Sequence, residues 1–352
     1  MAHDRALVER VLADARRLVL TEIERVIADR RRDGFAPLYD TLVDYPFREG
    51  KGLRPAILLS ACRAAGGHTD QGVVSATAIE LFHNAFLLHD DVEDGSQFRR
   101  GVATLPEIHG VPIAVNAGDA TNVLAVGLLL ENVTTIGVRK ALLVFREIER
   151  MARESVEGQA MELAWISEQQ FDLTDADYVR MAYKKTCWYT VIAPLRIGFI
   201  CGSRPGVGAP LEDELRTLIG LGLLAGIAFQ VQDDLLNLEA DEALYGKEHA
   251  GDLWEGKRTV MLLHLVRTAP PEVRDRALRL LRVDRADKDP AEVSWLGQML
   301  REIGSLEHGK RVARHYCDQA FALHDRLAPS MVDGDDRMFL REMLEYVVER
   351  VK

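Results

Sequence analysis

Apolar residues recur with a period of about 3.6 along almost the whole chain, and this helical periodicity constrains the fold more than any other feature. In residues 5–31, Leu7, Val11, Leu18 and Val26 fall on one helix face, opposite a charged face. Alternating strand patterns extend over no more than a few residues. The sequence therefore predicts an all-α protein, a single-domain bundle of long helices over residues 1–352.

Helix boundaries follow from the same periodicity and from glycine and proline breaks such as Gly66-Gly67, Gly110 with Pro112, and Gly202 to Pro210. The long helices are predicted at about 5–31, 55–66, 71–94, 111–131, 137–167, 174–202 and 211–240. Shorter helices are predicted at about 259–268, 271–282, 289–303, 305–327 and 335–350.

Charge and cysteine content narrow the functional class. The net charge is −11 and no basic run occurs, which argues against a nucleic-acid partner. An acidic protein that binds an anionic substrate needs local cations, supplied either by arginine and lysine or by metal. The four scattered cysteines show no metal-ligand spacing and are predicted to be buried free thiols in a reducing cytosol: Cys62, Cys187, Cys201 and Cys317.

The sequence also predicts a cytoplasmic protein without a membrane span. Charged residues interrupt the first few positions, so a signal-peptide core is missing there. The longest uninterrupted nonpolar run, Leu218 to Phe229, is far shorter than the roughly 18–20 residues that a membrane-spanning helix needs.

An acidic cluster ends the predicted helix near residue 94. His83, Leu87, Asp90 and Asp94 fall on one helical stripe, because residues three and four apart are neighbours on a helix face. A helix C-terminus already carries partial negative charge, so concentrated carboxylates there require a compensating cation. A single acidic helix end is usually only a solvated face, but a divalent cation is the first functional candidate. Arg99 and Arg100 follow at once.

A second cluster repeats this layout. The apolar helix that includes Leu218 to Ala228 ends in Asp233-Asp234, with Gln230 one turn before and Asn237 four residues after Asp233. Oxygen ligands without histidine or cysteine suit Mg²⁺, which usually keeps one or two carboxylates plus phosphate oxygens and water. Two such helix ends that face each other across a cavity predict a magnesium-dependent site for a phosphorylated substrate. Lys247 and Lys257 on the following loops are suitable point charges for phosphate.

Together these motifs resemble the trans-isoprenyl diphosphate synthases of the polyprenyl synthetase family. The matches are Gly50-Lys51-Gly52-Leu53-Arg54-Pro55, Asp90-Asp91-Val92-Glu93-Asp94 with Arg99-Arg100-Gly101, Lys185-Thr186, Phe229-Gln230 before Asp233-Asp234, and Asp252 to Thr259. They occur in the family's order from about residue 50 to 260. The resemblance implies the isoprenoid synthase fold, a helical bundle around a central cavity, and a homodimer.

The sequence departs from the family pattern in three places. Asn237 stands where many members have aspartate, a variant that resembles short-chain geranylgeranyl-type enzymes. Glu248-His249-Ala250 follows Lys247 where proline and glycine are usual, and Glu162 replaces an aspartate.

By resemblance, the reaction is the head-to-tail condensation of isopentenyl diphosphate with an allylic diphosphate, assisted by Mg²⁺, with three ions implied. The catalytic residues would be Asp90, Asp91, Asp94, Asp233, Asp234 and Lys185. The metal ligands would be Asp90, Asp94 and Asp233, with Asp234, Asn237 and Asp91 as supporting ligands or orienting groups.

The allylic diphosphate would contact Arg99, Lys185, Lys247 and Lys257. Isopentenyl diphosphate would contact Lys51, Arg54, His83 and Arg100, and Thr186 and Gln230 would line the space around the carbocation. Taken alone, His83 would more often be a hydrogen-bonded core histidine, and Lys51 and Arg54 surface charges.

Residues upstream of Asp90 are expected to set product length. One helical turn rises about 5.4 Å, comparable to one isoprene unit. By family analogy, small Ala85 beside large Phe86, with Phe82 nearby, favours a C20 product, geranylgeranyl diphosphate. The alternatives are a farnesyl (C15) or a longer-chain (C25 and above) diphosphate synthase.

Two other classes remain open. A class I terpene cyclase would need an Asn/Asp-x-x-Ser/Thr-x-x-x-Glu second motif, which Asp233 to Asn237 does not supply. A non-catalytic synthase subunit typically loses one acidic motif, whereas both are present here.

Overall fold

The protein is almost entirely helical, as the periodicity predicts. The structure, a computed structural model, describes residues 4–203, 209–239 and 250–349, without the side chains of residues 209–211. The first half comprises α1 (Arg5–Arg30), α2 (Ala36–Leu42), α3 (Asp44–Phe47), α4 (Leu53–Ala64), α5 (Thr69–Glu93), α6 (Leu105–His109), α7 (Val111–Leu129), α8 (Asn132–Thr135) and α9 (Val138–Ser167). The second half comprises α10 (Asp175–Ala182), α11 (Ala193–Gly202), α12 (Ala209–Glu239), α13 (Gly251–Glu255), α14 (Val260–Thr268), α15 (Pro271–Leu281), α16 (Pro290–Glu302), α17 (Ser305–Leu327) and α18 (Asp335–Glu349).

One predicted helix has an unexpected interior. Between α10 and α11 the segment Tyr183–Ile192 forms a π-helix, so residues 174–202 are not one regular α-helix. Such segments often occur at functional sites. The backbone of Lys185 lies so close to Gly158 of α9 that a Cβ at Gly158 would stand 2.2 Å from the Lys185 nitrogen. Glycine at this position therefore lets the π-helix lie directly against α9.

In the described part of the chain, the only strands are two residues long each and pair as an antiparallel hairpin, β1 (Phe98–Arg99) and β2 (Val102–Ala103). Its two turn residues, Arg100 and Gly101, have φ values of 56° and 75°. Positive φ at both central positions is the requirement of a type I′ turn, and glycine meets it without strain. The hairpin carries the arginine pair directly after the first acidic cluster.

The packing places both acidic clusters around one interior space. α5 packs against α7, α4 against α11, and α12 against both α17 and the π-helix. Buried apolar side chains form one continuous cluster that reaches from Val8 in α1 to Val347 in α18. The acidic segments of α5 and α12 thus lie beside the same interior space.

Two further sequence predictions concern cysteines and membrane spans. All four cysteines are buried and free, as predicted. Two described stretches, Val111–Thr135 and Glu212–Glu239, are nevertheless long and apolar enough to cross a membrane by length and composition, although the prediction based on uninterrupted runs found none. In each, 44% of the apolar window is buried inside the protein, and core helices of soluble proteins pass the same test, so this is weak evidence for a span.

Candidate active site

A cavity of about 1310 Å³ lies between α4, α5, α9, the π-helix, α12 and the hairpin. It gathers most of the residues that the motifs singled out, from five separate regions of the chain. The predicted site residues that border it are Lys51, Arg54, His83, Phe86, Asp90, Arg99, Arg100, Lys185, Thr186, Gln230, Asp233, Asp234 and Lys257.

Five predicted residues do not border the cavity. Asp91 and Asp94 are buried behind its acidic wall, and Phe82 and Ala85 are buried in α5. Asn237 is also buried, and its side-chain oxygen accepts a hydrogen bond from the Asp252 backbone N–H (3.1 Å), so it holds the start of α13 in place. Lys247, with Glu248 and His249, lies outside the described residues.

Lysine side chains pair with the carboxylates of the first cluster. Lys185 Nζ lies 3.4 Å from Asp90 Oδ1 and also donates a hydrogen bond to Glu162. Lys257 Nζ donates to Asp94 Oδ2 at 2.7 Å and contacts Glu255 at 2.6 Å. Basic residues predicted to bind diphosphate therefore pair with acids predicted to bind metal.

Asp91, the second aspartate of the first cluster, faces the protein interior. Its side chain is fully buried, and the single Nε–H of Arg99 is shared between its two carboxylate oxygens, at 2.8 and 2.9 Å. The Tyr45 hydroxyl donates a further bond to it. Arg99 Nη2 in turn reaches Asp90 at 3.3 Å. Asp91 thus fixes the guanidinium that approaches Asp90.

The second cluster has the same arrangement. Asp234 accepts hydrogen bonds from Gln230 Nε2 at 2.7 Å and from the hydroxyl of buried Tyr178 at 2.8 Å. The Thr186 hydroxyl donates to Gln230 Oε1 at 2.5 Å, which connects the π-helix to α12. In both clusters, a buried tyrosine holds the second aspartate.

Burial controls protonation in this region. Loss of hydration raises the pKa of Asp94 to about 7 despite the charge of Lys257. Burial likewise raises the pKa of Asp234 to about 7, against the hydrogen bonds from Gln230 and Tyr178. Burial by itself lowers the pKa of Lys185. The negative charges of Glu162 and Asp90 outweigh this effect, so the pKa of Lys185 is raised. The lysine therefore stays protonated at neutral pH.

The opposite end of the cavity is basic and aromatic. The Arg54 guanidinium lies 4.6 Å from the ring centre of Tyr189 and donates to the Thr190 hydroxyl at 2.9 Å. His83 stacks on the same tyrosine with 5.8 Å between ring centres. Arg100 donates to the Tyr45 carbonyl oxygen at 3.3 Å. This end can bind an anion through guanidinium groups, which suit bidentate phosphate contacts.

An apolar wall adjoins both ends. Phe86 of α5 borders the cavity and packs edge-on against Tyr189, with 5.7 Å between ring centres. Phe82, one turn earlier, lies behind it at 6.4 Å. A hydrocarbon chain that extends from Asp90 along α5 therefore meets Phe86 before it can reach Phe82.

The donor set fits Mg²⁺ held jointly with a diphosphate. Among the described residues, no three His, Cys, Asp or Glu side chains lie close enough to hold a metal ion alone. Asp90 and Asp233 border the cavity, and all ligand candidates are oxygen donors. Oxygen-only sites that leave most positions to phosphate and water are typical of Mg²⁺.

Sequence reasoning missed several residues of this site. Tyr45, Tyr178, Tyr189 and Arg16 belong to none of the recognised motifs. A spacing of seven residues places Tyr178 on roughly the same helix face as Lys185, which is a usable signal. Tyr45 and Arg16 lack such a signal, because only tertiary packing brings α1 to the cavity and α3 against Asp91.

Fold and site together define an all-helical protein whose cavity is flanked by two acidic helix segments and a basic end. Residues 36–299 match the family model described as polyprenyl synthetase. The chain belongs to this family.

Similar proteins agree with this assignment. The chain is 31% identical, over 86% of each sequence, to a short chain isoprenyl diphosphate synthase of Methanothermobacter thermautotrophicus. The structure of geranylgeranyl pyrophosphate synthetase from Pyrococcus horikoshii superposes with a TM-score of 0.83 at 29% identity, over 98% of both chains. Polyprenyl synthase from Caulobacter crescentus, complexed with calcium and isoprenyl diphosphate, gives 0.82 at 28% identity, also over 98% of both.

Proposed function

We propose that this protein is a prenyltransferase that condenses isopentenyl diphosphate with an allylic diphosphate to give an all-trans short-chain prenyl diphosphate. The observation that carries this proposal is one cavity with two opposed charge environments. Acidic clusters paired with lysine and arginine form one end, and Arg54, Arg100 and Lys51 form the other. Two diphosphate esters can bind there at once, with their hydrocarbon parts against Tyr189 and Phe86.

The acidic end favours ionisation of the allylic C–O bond. Lys185, Lys257 and Arg99 each pair with an aspartate of the first cluster, so each can exchange a carboxylate for a diphosphate oxygen with little movement. Fixed cations at the oxygens where charge develops lower the barrier to departure of the leaving group. The leaving diphosphate can then take the proton lost from the condensed product, so no protein base is required.

Mg²⁺ is the proposed cofactor. Asp90, Asp94 and Asp233 would hold it, with Asp234 as a supporting ligand at the cavity wall, while Asp91 orients Arg99 from the buried side. Bound there with the allylic diphosphate, the metal would offset the negative charge that builds on the leaving group. The Caulobacter crescentus relative binds calcium, which supports use of a divalent cation. The number of ions, three by family resemblance, is part of the proposal.

The proposed product is geranylgeranyl diphosphate (C20). Phe86 borders the cavity about one turn before Asp90, and Phe82 stands behind it. The matched relatives range from a short chain isoprenyl diphosphate synthase to an octaprenyl diphosphate synthase, so the choice of length depends on these side chains.

One incubation tests the function. Purified protein with isopentenyl diphosphate, an allylic primer and Mg²⁺ should give longer prenyl diphosphates by mass spectrometry, and EDTA should abolish them. Cyclised hydrocarbons would indicate a terpene cyclase. Absence of any product, with elongation only after addition of a partner synthase, would indicate a non-catalytic subunit.

Tyr178→Phe tests the support of the second cluster. Loss of the hydroxyl leaves Asp234 with Gln230 as its remaining hydrogen-bond donor in the described site, so the acidic face loses its fixed orientation. Removing such an outer partner typically weakens metal affinity about 10- to 100-fold. We expect a corresponding rise in the Mg²⁺ concentration for half-maximal activity, and weaker Mn²⁺ binding with inorganic pyrophosphate in electron paramagnetic resonance titrations.

Tyr183→Phe is the matched control, since Tyr183 begins the π-helix that directly follows α10, and its ring packs against Trp188. Equal metal requirements in the two variants would contradict a role for the Tyr178 hydroxyl.

We also propose a homodimer formed by α7 and α9. These helices expose apolar side chains along one face, among them Val115, Val123, Val126, Leu142, Phe145 and Val156. Exposed apolar side chains in this number are typical of an interaction surface, and a second copy is the partner that the family implies. Sedimentation should show twice the 39.4 kDa chain mass. Val123→Arg should shift the protein toward monomer, whereas Val332→Arg, exposed elsewhere, should not. A wild-type monomer at micromolar concentration would refute this assembly.

A cytoplasmic location and one domain over residues 1–352 stay predictions. Cell fractionation tests the first. Limited proteolysis tests the second, because a stable fragment would reveal a separable unit.

A further inference from the structure

Arg16 of α1 borders the basic end of the cavity, although α1 carries none of the recognised motifs. The loop Gly50–Gly52 lies directly against it. Gly52 has a φ of +66°, and a Cβ there would stand 2.8 Å from the Arg16 Cβ. The close approach of loop and helix therefore requires glycine at position 52 and fixes where the Arg16 side chain begins.

The Arg16 guanidinium joins a group of cations. Lys51, Arg54 and Arg100 border the same cavity. Burial lowers the pKa of Arg100, and the charges of Arg99, Arg54 and Arg16 lower it further, against Glu80. Like charges thus crowd this end of the cavity.

In the described structure, Arg16 and Arg54 are not paired with a carboxylate. Arg16 Nη2 donates to the backbone carbonyl oxygen of Arg48 at 3.3 Å, a neutral acceptor. Arg54 is buried, and within the described structure its Nε has no hydrogen-bond partner. Glu49 and Glu80 also border the cavity, but no described ion pair joins either of them to Arg16 or Arg54. Buried donors of this kind are costly unless an acceptor satisfies them.

We propose that Arg16 binds the diphosphate of the isopentenyl substrate, as a cation that α1 adds to Lys51, Arg54 and Arg100. This inference rests on the proposed function, because it assigns the basic end to that substrate. A diphosphate presents several anionic oxygens, and a guanidinium can donate two parallel hydrogen bonds to them. The Arg48 carbonyl orients the side chain before the substrate arrives.

Variants of neighbouring residues test the assignment. Arg16→Met keeps the aliphatic stem and removes the charge, and Arg16→Lys keeps a charge. Arg17→Met is the matched control, since Arg17 is the next residue, is exposed and pairs with Asp14 at 3.2 Å on the protein surface. Two readouts are needed: steady-state kinetics, and calorimetric binding of inorganic pyrophosphate in EDTA, which removes any metal-dependent binding.

We expect Arg16→Met to raise KM for isopentenyl diphosphate about tenfold, the effect of losing one charged hydrogen bond. KM for the allylic diphosphate and kcat should change little, because the lost contact stabilises ground state and transition state equally. Pyrophosphate should bind more weakly by a similar factor. Arg16→Lys should recover part of both losses, and Arg17→Met should match wild type.

Equal KM values for isopentenyl diphosphate in Arg16→Met and Arg17→Met would overturn the inference. So would equal losses in Arg16→Lys and Arg16→Met, because that result would assign Arg16 a purely structural role at the Gly50–Gly52 loop. The proposed function fails in a different way. If wild-type protein makes no elongation product, that function is refuted, while pyrophosphate binding still reports whether Arg16 holds an anion.

Discussion

Asp94→Asn is expected to reduce kcat/KM by about a thousandfold or more, even at saturating Mg²⁺. The carboxylate of Asp94 is buried and bonded to Lys257 at 2.7 Å, so it controls both a proposed metal position and a lysine that we propose binds diphosphate. Removing one preorganised group that stabilises developing charge typically costs about 10²–10³ in kcat. Asparagine keeps the shape and removes the charge, so steady-state kinetics with an elongation assay should report the electrostatic loss.

Glu93→Gln is the matched control for this variant. Glu93 precedes Asp94 in the same acidic cluster, but its carboxylate accepts a hydrogen bond from Gln159 and has no role in the proposed chemistry. We expect a much smaller effect there. Activity of Asp94→Asn within tenfold of wild type, with thermal stability unchanged, would exclude Asp94 from the metal site.

Phe86→Ala is expected to shift the main product from C20 to C25 or longer. Phe86 borders the cavity and closes it together with Tyr189, whereas Phe82 lies behind it. Removing the ring opens the path along α5 toward the preceding turn, and a turn rises by about 5.4 Å, close to one isoprene unit. Mass spectrometry of the dephosphorylated products measures the shift directly.

Phe82→Ala tests whether the ring at position 86 limits product length, or whether any aromatic ring on this part of α5 does. Because Phe82 does not border the cavity, this variant alone should leave product length unchanged, and the double variant should extend beyond Phe86→Ala. An unchanged product in Phe86→Ala would show that another wall sets the length. A longer product from Phe82→Ala alone would show that the chain passes Phe86.

Much of the site was predictable because its chemistry is local in sequence. The stripe that contains Asp90 and Asp94 follows from helical spacing, and Gln230 before Asp234 follows in the same way. The resemblance assigned Arg99 to the allylic diphosphate and Arg100 to isopentenyl diphosphate, but the sequence did not show how two adjacent arginines point apart. The type I′ turn directs Arg99 toward Asp91 and Arg100 toward the Tyr45 carbonyl.

Predictions that depended on distant packing were less complete. Asn237 has the right spacing for a metal ligand, yet its oxygen is engaged by the backbone of Asp252. Ala85 was assigned to the chain-length wall beside Phe86, but consecutive helix residues point about 100° apart, and only Phe86 borders the cavity. Glu162, which departs from the family pattern, proves to be a hydrogen-bond partner of Lys185.

The sequence by itself determined the helical class, the order of the charged motifs and the family, because helical periodicity and short-range spacing depend only on neighbours along the chain. Tertiary structure alone decided which aspartates face the cavity. Asp90, Asp233 and Asp234 border it, with Asp234 anchored by Tyr178, whereas Asp91 lies in the interior and is held there by Tyr45. The physical reason is that adjacent helix positions point in different directions, and only the surrounding helices determine which direction is solvent-filled cavity and which is core.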